Sequence, residues 1–344
     1  MVSVERVLEY CRVPQEASLR SDPGKAPPKD WPSEGNIEAR STQIIEGFGS
    51  GAFLAILDLT LRYRQDLPAV LKGLSLFVKG GSRVGVVGRT GAGKSSLISA
   101  LFRLVEQGPG CGTILIDGVD TSQVGLHDLR PRLSVIPQTP FLFSGSVRLN
   151  LDPFYSHTDA EIWSSLEAVQ MKDHIAEQLG GLDAAITEGG QNLSVGQRQL
   201  LCLARAVLQR SQILVMDEAT ANIDQKNDSL IQDAVRTEFQ GRTVVMIAHR
   251  LNTIIDCDQV IVLVDGKVVE SGHPHELLSE GGGRNDTEGT ELPGEAGAEK
   301  MDGTFKSMVL ETGPEASAEL RRLAQEAWEG RHGADGGETG KEAA

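Results

Sequence analysis

Gly88-Arg89-Thr90-Gly91-Ala92-Gly93-Lys94-Ser95-Ser96 is the stretch that decides how this chain folds. Ahead of it runs Arg83-Val84-Gly85-Val86-Val87, short and β-branched, which reads as a buried strand. Behind it, Ser96 to Leu104 carries apolar residues at helical spacing. Strand, glycine loop and helix in that order make G-x-x-x-x-G-K-S a phosphate loop. Its glycines let the backbone bend until N–H groups converge on phosphate oxygens, and the helix N-terminus adds partial positive charge. Lys94 offers a mobile charge to β- and γ-phosphates, and the Ser95 hydroxyl is a ligand for Mg²⁺.

The chain has 344 residues, 40% of them hydrophobic, enough for one large or two small domains with a sizeable core. Its net charge is −15, yet from Glu276 to the end 16 acidic residues face 7 basic ones. Most of the acidity therefore belongs to a solvated C-terminal tail. The rest shows no basic patch, which argues against a nucleic-acid partner. Cys11, Cys111, Cys202 and Cys257 stand far apart without a C-x-x-C pair, so a reducing compartment is expected, with neither zinc nor disulfides. No apolar run approaches the ~18 residues of a membrane helix, and no signal peptide is legible, so the chain itself is expected to be soluble.

Val2 to Glu9 reads as a short helix, and Arg20 to Asn36, with four prolines, as a linker. Leu57 to Tyr63 alternates apolar and polar residues like a half-buried strand. Further strands are expected at Leu74–Val78, Thr113–Ile116, Ser134–Ile136, Ile213–Met216, Val244–Ala248 and Val260–Val264. Helical patterns lie between several of them, which argues for a layered α/β domain with a mainly parallel sheet. From about Thr139 to Arg210 the strands stop, and helices at Asp159–Val169 and Gln197–Leu208 suggest a helical lobe inserted in that core. Gly281 to Glu299 is rich in glycine and acid and reads as disordered. Apolar spacing returns at Phe305–Leu310 and Glu315–Trp328, with Leu320, Leu323, Ala324 and Ala327 on one face.

Three further groups carry chemistry. Ile213 to Met216 delivers Asp217 and Glu218 at a strand end, Asp217 suited to Mg²⁺ or its water and Glu218 to deprotonating an attacking water. Val244 to Ala248 ends in His249, whose imidazole can hydrogen-bond a γ-phosphate. The other histidines read as structural. Leu193-Ser194-Val195-Gly196-Gln197 has capping-box spacing between Ser194 and Gln197. That helix start can also meet an anion, which need not be the nucleotide of the phosphate loop.

The phosphate loop, Gln138, LSVGQ, LVMDE and His249 occur in the order of ATP-binding cassette proteins, and the resemblance spans about Ala52 to Leu278. LRYR, IPQTPFLFSG, NLDPF, LSVGQRQLLCLARA, DEATANID and IAHRLNTI resemble the second nucleotide-binding domain of the multidrug-resistance-associated (subfamily C) exporters. The resemblance implies a P-loop NTPase (RecA-like) α/β core with a small antiparallel β subdomain and an inserted helical subdomain at about 139–210. It implies a connector and linker over 1–36 from a transmembrane domain absent here, and the cassette over 37–280. A disordered acidic insertion over 281–300, a helical end over 301–328 and a flexible tail over 329–344 complete it. By the same resemblance Tyr63 stacks on adenine, and residues 88–96 hold ATP. Ser95, Gln138 and Asp217 serve Mg²⁺, and Gln138 senses the γ-phosphate while linking to the transmembrane domain. Glu218 and His249 act with Gln138 in catalysis. Leu193, Ser194, Val195, Gly196 and Gln197 close over ATP on a partner cassette, and Asp224 lines that head-to-tail interface. Val195 stands where glycine is commonest in the wider family, a change that removes no catalytic group.

The expected activity is ATP hydrolysis powering export of organic, amphipathic or conjugated anionic solutes, from the cytosolic face of a membrane. Two other readings remain open on sequence: a regulatory, nucleotide-sensing cassette of a channel-type member, and a soluble cassette ATPase outside transport.

Overall fold

The computed structural model describes residues 2–11, 16–28, 30–32, 54–64, 66–106, 110–217, 223, 225–248, 250–279 and 304–335. In chain order the strands are β1 (Leu54–Leu61), β2 (Leu71–Val78), β3 (Arg83–Val87), β4 (Thr113–Ile116), β5 (Val119–Asp120) and β6 (Leu133–Ile136). They continue with β7 (Gly145–Ser146), β8 (Ala185–Ile186), β9 (Ile213–Asp217), β10 (Thr243–Ile247), β11 (Gln259–Val264) and β12 (Lys267–Gly272). The helices are α1 (Val2–Cys11), α2 (Lys94–Leu101), α3 (Leu126–Leu129), α4 (Val147–Leu151), α5 (Asp159–Ala168), α6 (Val195–Gln209) and α7 (Gln225–Glu238). Short α8 (Pro274–Leu278), α9 (Phe305–Glu311) and long α10 (Pro314–Asp335) follow.

The central sheet has the order β12-β11-β3-β10-β9-β6, parallel except for the β11–β12 hairpin. Its inner strands β11, β3, β10 and β9 bury both faces, which is why they read as unbroken apolar runs. Val84, Val86, Val215, Val245 and Ile261 point to one core, shared with α2 and a second, antiparallel sheet of order β2-β1-β4-β5. Leu214, Met216, Val244, Met246 and Val262 point to the other, shared with α5, α6, α7 and the C-terminal helices. Gly85 sits mid-strand because Ile254 packs directly on it: a Cβ there would lie 2.7 Å from the Ile254 Cβ.

Several elements differ from expectation. β1 starts earlier and ends at Leu61, two residues before Tyr63, and its alternation breaks at Asp58, where φ is 50° and the register with β2 shifts. Across that bulge Gly112 comes so close that a Cβ would lie 2.4 Å from the Asp58 carbonyl oxygen. β12 was not foreseen, since its outer face is polar and it forms an edge. Strands do not stop between 139 and 210: β7 pairs antiparallel with β8, two residues each, too short for any periodicity to register. α5 and α6 both open with capping boxes, Thr158 with Glu161 and Ser194 with Gln197.

The proline-rich stretch is no free tether where it is described. Leu126 and His127 donate backbone bonds to the Ser18 and Leu19 carbonyls. The Ser21 hydroxyl donates to Asp128 at 2.6 Å and accepts from the Gly125 N–H at 2.8 Å. Arg130 is bound to Glu16, and Trp31 is 3% exposed with its indole N–H donating to the Ile116 carbonyl at 2.9 Å. Composition could not show this, because backbone bonds and a few side chains, Glu16, Ser21 and Trp31, make the attachment. At the other end, α10 extends to Asp335, beyond the expected helix limit. Phe305, Val309, Leu320 and Ala324 bury in one core with Leu277 and Leu278 of α8, and Trp328 stacks on His275 and meets His273 edge to face. Residues 281–300 lie outside the described residues.

Candidate nucleotide-binding site

The carboxyl ends of β11, β3, β10, β9 and β6 line one edge of the central sheet, and register fixes their level. Val86 pairs with Ile247, Ile247 with Asp217, and Met216 with Ile136. The phosphate loop leaves β3 at this edge, Asp217 ends β9, and Pro137-Gln138 leaves β6. Strand order thus brings the loop, the carboxylate and the glutamine to one crevice, where open α/β sheets place ligands.

The loop is built around close approaches. A Cβ on Gly88 would lie 2.3 Å from the Leu263 carbonyl oxygen, and one on Gly93, at φ 103°, 2.8 Å from Leu71 Cδ2. Behind it the Gly266 N–H donates to the Ala92 carbonyl at 3.1 Å, so the β11–β12 turn buttresses the loop. Lys94 is buried, and its Nζ donates to the Gly88 carbonyl at 2.7 Å and the Arg89 carbonyl at 3.3 Å. The ammonium is therefore already held inside the ring of loop backbone. Ser95 is exposed on the first turn of α2 and Ser96 is buried. The Tyr63 hydroxyl lies 3.1 Å from Ser96 Oγ while its ring stays 46% exposed, so an aromatic face stands beside the loop. Arg89 leans toward the C-terminal helices, 3.5 Å from Glu311, beside a cleft of about 540 Å³ lined by Arg250, Asn252 and Met308.

Within Leu193-Ser194-Val195-Gly196-Gln197 the residues divide by role. Leu193 is core, and Gly196 makes room for α7, since a Cβ would lie 2.4 Å from Asn227 Nδ2. Ser194 Oγ accepts from the Gln197 N–H at 3.1 Å and Gln197 Oε1 accepts from the Ser194 N–H at 2.9 Å, leaving Ser194 and Val195 at the surface. Glu218, Asp224 and His249 lie outside the described residues. Among the described residues no cluster of three or more His, Cys, Asp or Glu could cage a metal ion. The fit is instead to a hard ion brought with phosphates: an exposed hydroxyl at Ser95, an amide at Gln138 and a carboxylate at Asp217, all oxygen donors.

One surface was missed on sequence. In the loop after Gln138 Pro140 and Leu142 are buried, while Phe141 is 59% and Phe143 49% exposed, packed edge to face on each other at 5.1 Å. Phe154 and Tyr155 are also exposed. An apolar triplet between prolines, serines and glycines was the available signal.

A glycine loop on a parallel-sheet edge, a buried lysine within it and an oxygen-donor set beside it define a P-loop nucleotide-binding domain. The family model described as ABC transporter matches residues 71–221. The chain is 51% identical over 282 residues to rat ATP-binding cassette sub-family C member 2, covering 82% of this chain and 17% of that protein. It is 45% identical over 331 residues to the Drosophila melanogaster probable multidrug resistance-associated protein lethal(2)03659, covering 96% and 21%. A solved bacterial Atm1-family ABC exporter with ATP bound is 30% identical, with a TM-score of 0.66 over 80% of this chain and 45% of that one. This chain belongs to the ATP-binding cassette proteins, as a nucleotide-binding domain of the subfamily C type. It spans about a fifth of the length of these sub-family C relatives.

Proposed function

We propose that this chain is the ATP-hydrolysing cassette that powers solute export by a subfamily C transporter, on the cytosolic face of the membrane. The observation that carries the reading is the prebuilt phosphate ring, with Lys94 Nζ 2.7 Å from the Gly88 carbonyl and the Tyr63 ring fastened beside it. In this reading Lys94 turns from those carbonyls to the β- and γ-phosphate oxygens, and the loop N–H groups take the remaining charge. Tyr63 stacks on the base. Ser95, Asp217 and Gln138 hold Mg²⁺, which when bound neutralises charge developing on the phosphoryl oxygens. Glu218 takes the proton of the attacking water, and His249 hydrogen-bonds the γ-phosphate. The surface of Ser194 to Gln197 closes on the nucleotide of a second cassette, with Asp224 at the interface.

The transmembrane domain supplies the remaining partner. Phe141 and Phe143 give it an apolar landing site in the loop after Gln138, while Phe154, Tyr155 and, on α1, Val4, Val7, Leu8 and Tyr10 are exposed as well. Glu218→Gln tests the proposal. With a first cassette supplied as partner, ATP affinity should hold while hydrolysis falls by about 10²–10⁴-fold. The variant should accumulate as a closed dimer in Mg·ATP and stay monomeric in ADP. Hydrolysis at the parent rate would refute it.

A further inference from the structure

Gln199 lies on the second turn of α6, five residues after Ser194, on the side where Leu200, Leu201 and Leu203 build the core. It is 1% exposed. Its Nε2 donates to the Pro137 carbonyl at 3.0 Å, and its Oε1 is sealed from solvent with no hydrogen-bond partner among the described residues. A half-satisfied amide in a dry helix flank is costly, and methionine or leucine would fill the same space without an orphaned acceptor. What the amide adds is the bond to Pro137. That carbonyl needs a donor, because the β6–β9 ladder pairs residues only as far as Ile136 with Met216. The bonded carbonyl belongs to the peptide unit that leads into Gln138.

The same helix holds the far end of this segment. Arg205 Nε donates to the Asn150 carbonyl at 2.7 Å, and the buried Asn150 side chain brackets Phe143, accepting from its N–H at 2.8 Å and donating to its carbonyl at 2.9 Å. The helix whose N-terminus carries Ser194 to Gln197 thus grips the 137–150 segment at both ends.

We infer that Gln199 is a positioning residue for Gln138, tying the metal-sensing glutamine to the helix that faces the partner's nucleotide. The inference rests on the proposed role of Gln138 at Mg²⁺. The test measures affinity of the full chain for a slowly hydrolysed ATP analogue in EDTA and in Mg²⁺, and takes the ratio. Gln138→Ala should abolish the Mg²⁺ enhancement. Gln199→Met keeps length and burial but has no donor. It should lower the enhancement by about 3–10-fold, the scale of one lost bond to a buried acceptor, and leave metal-free affinity within about twofold. If Gln199 acts through Gln138, the double variant should be no worse than Gln138→Ala alone. Gln199→Glu provides a second arm should the methionine variant fail to fold. Its buried carboxyl donates only when protonated, so its enhancement, relative to the parent, should recover between about pH 8 and about pH 6. An unchanged ratio in both Gln199 variants, with Gln138→Ala still impaired, overturns the inference and leaves the Gln138 reading intact. An unchanged ratio in Gln138→Ala overturns both.

Discussion

Removing the Tyr63 ring separates recognition of a base from recognition of phosphates. Tyr63 is 46% exposed, and its hydroxyl lies 3.1 Å from Ser96 Oγ. One ring face is therefore available to a planar base beside a loop that holds the phosphates. Tyr63→Ala loses the stack, worth about 1–2 kcal/mol, and should weaken ATP binding about 5–30-fold. Tyr63→Phe keeps the ring and loses one partly solvated hydroxyl contact. At about 0.5 kcal/mol it should cost only about twofold. Tyr63→Trp should stay near the parent. The assay is titration of the purified domain with ATP and, in parallel, with inorganic tripolyphosphate, which has no base to stack. The alanine deficit should appear with ATP and vanish with tripolyphosphate. An equal deficit for both ligands would mean that Tyr63 acts by shaping the loop through Ser96. No deficit for either would remove it from the site.

Lys94→Ala should weaken ATP binding by about two orders of magnitude, because charge-assisted phosphate bonds of about 1.5–3 kcal/mol have no substitute in the loop; calorimetric titration checks this. Trp31→Ala removes a 3%-exposed ring and its bond to Ile116, and should lower stability by about 3–5 kcal/mol, read as a shift in denaturation midpoint. Hydrogen exchange over residues 16–32 should rise in that variant, and unchanged exchange would mean that the stretch is not held by this ring. Bonds from the Ser21 hydroxyl and N–H hold the Asp128 carboxyl below its ordinary value. A depressed carboxylate contributes stability that is present above the ordinary aspartate range near pH 4 and lost as pH falls through the folded value. Exchange at residues 18–21 should accordingly rise below about pH 4 in the parent, whereas Asp128→Asn should show that release already at neutral pH.

Legibility followed the range of the interactions. The phosphate loop could be read because its geometry is local: glycine spacing, the strand before it and the helix after it specify the turn. The capping box of Ser194 and Gln197 was equally local, and both of its bonds are present. The central strands announced themselves because both faces are buried, whereas β12 and the β7–β8 pair were silent, one being a polar edge and the other two residues long. Glu218, Asp224 and His249 rest on motif position, since they lie outside the described residues.

Sequence by itself therefore determined the chemistry on offer, because residue type and near-neighbour spacing decide what a turn or a cap can bind. Only the tertiary structure decided which of those groups meet. The order β3-β10-β9-β6 is what carries Asp217 and Gln138 to the edge where the loop stands. Periodicity tells which residues seek burial but not which strand becomes a neighbour. Nor could it tell that Phe141 and Phe143 stay at the surface while Leu142 goes in, or that Trp31 is the peg of a proline-rich strap. Those outcomes depend on the competition of every apolar side chain for two finite cores, and that competition is settled only when the whole chain packs.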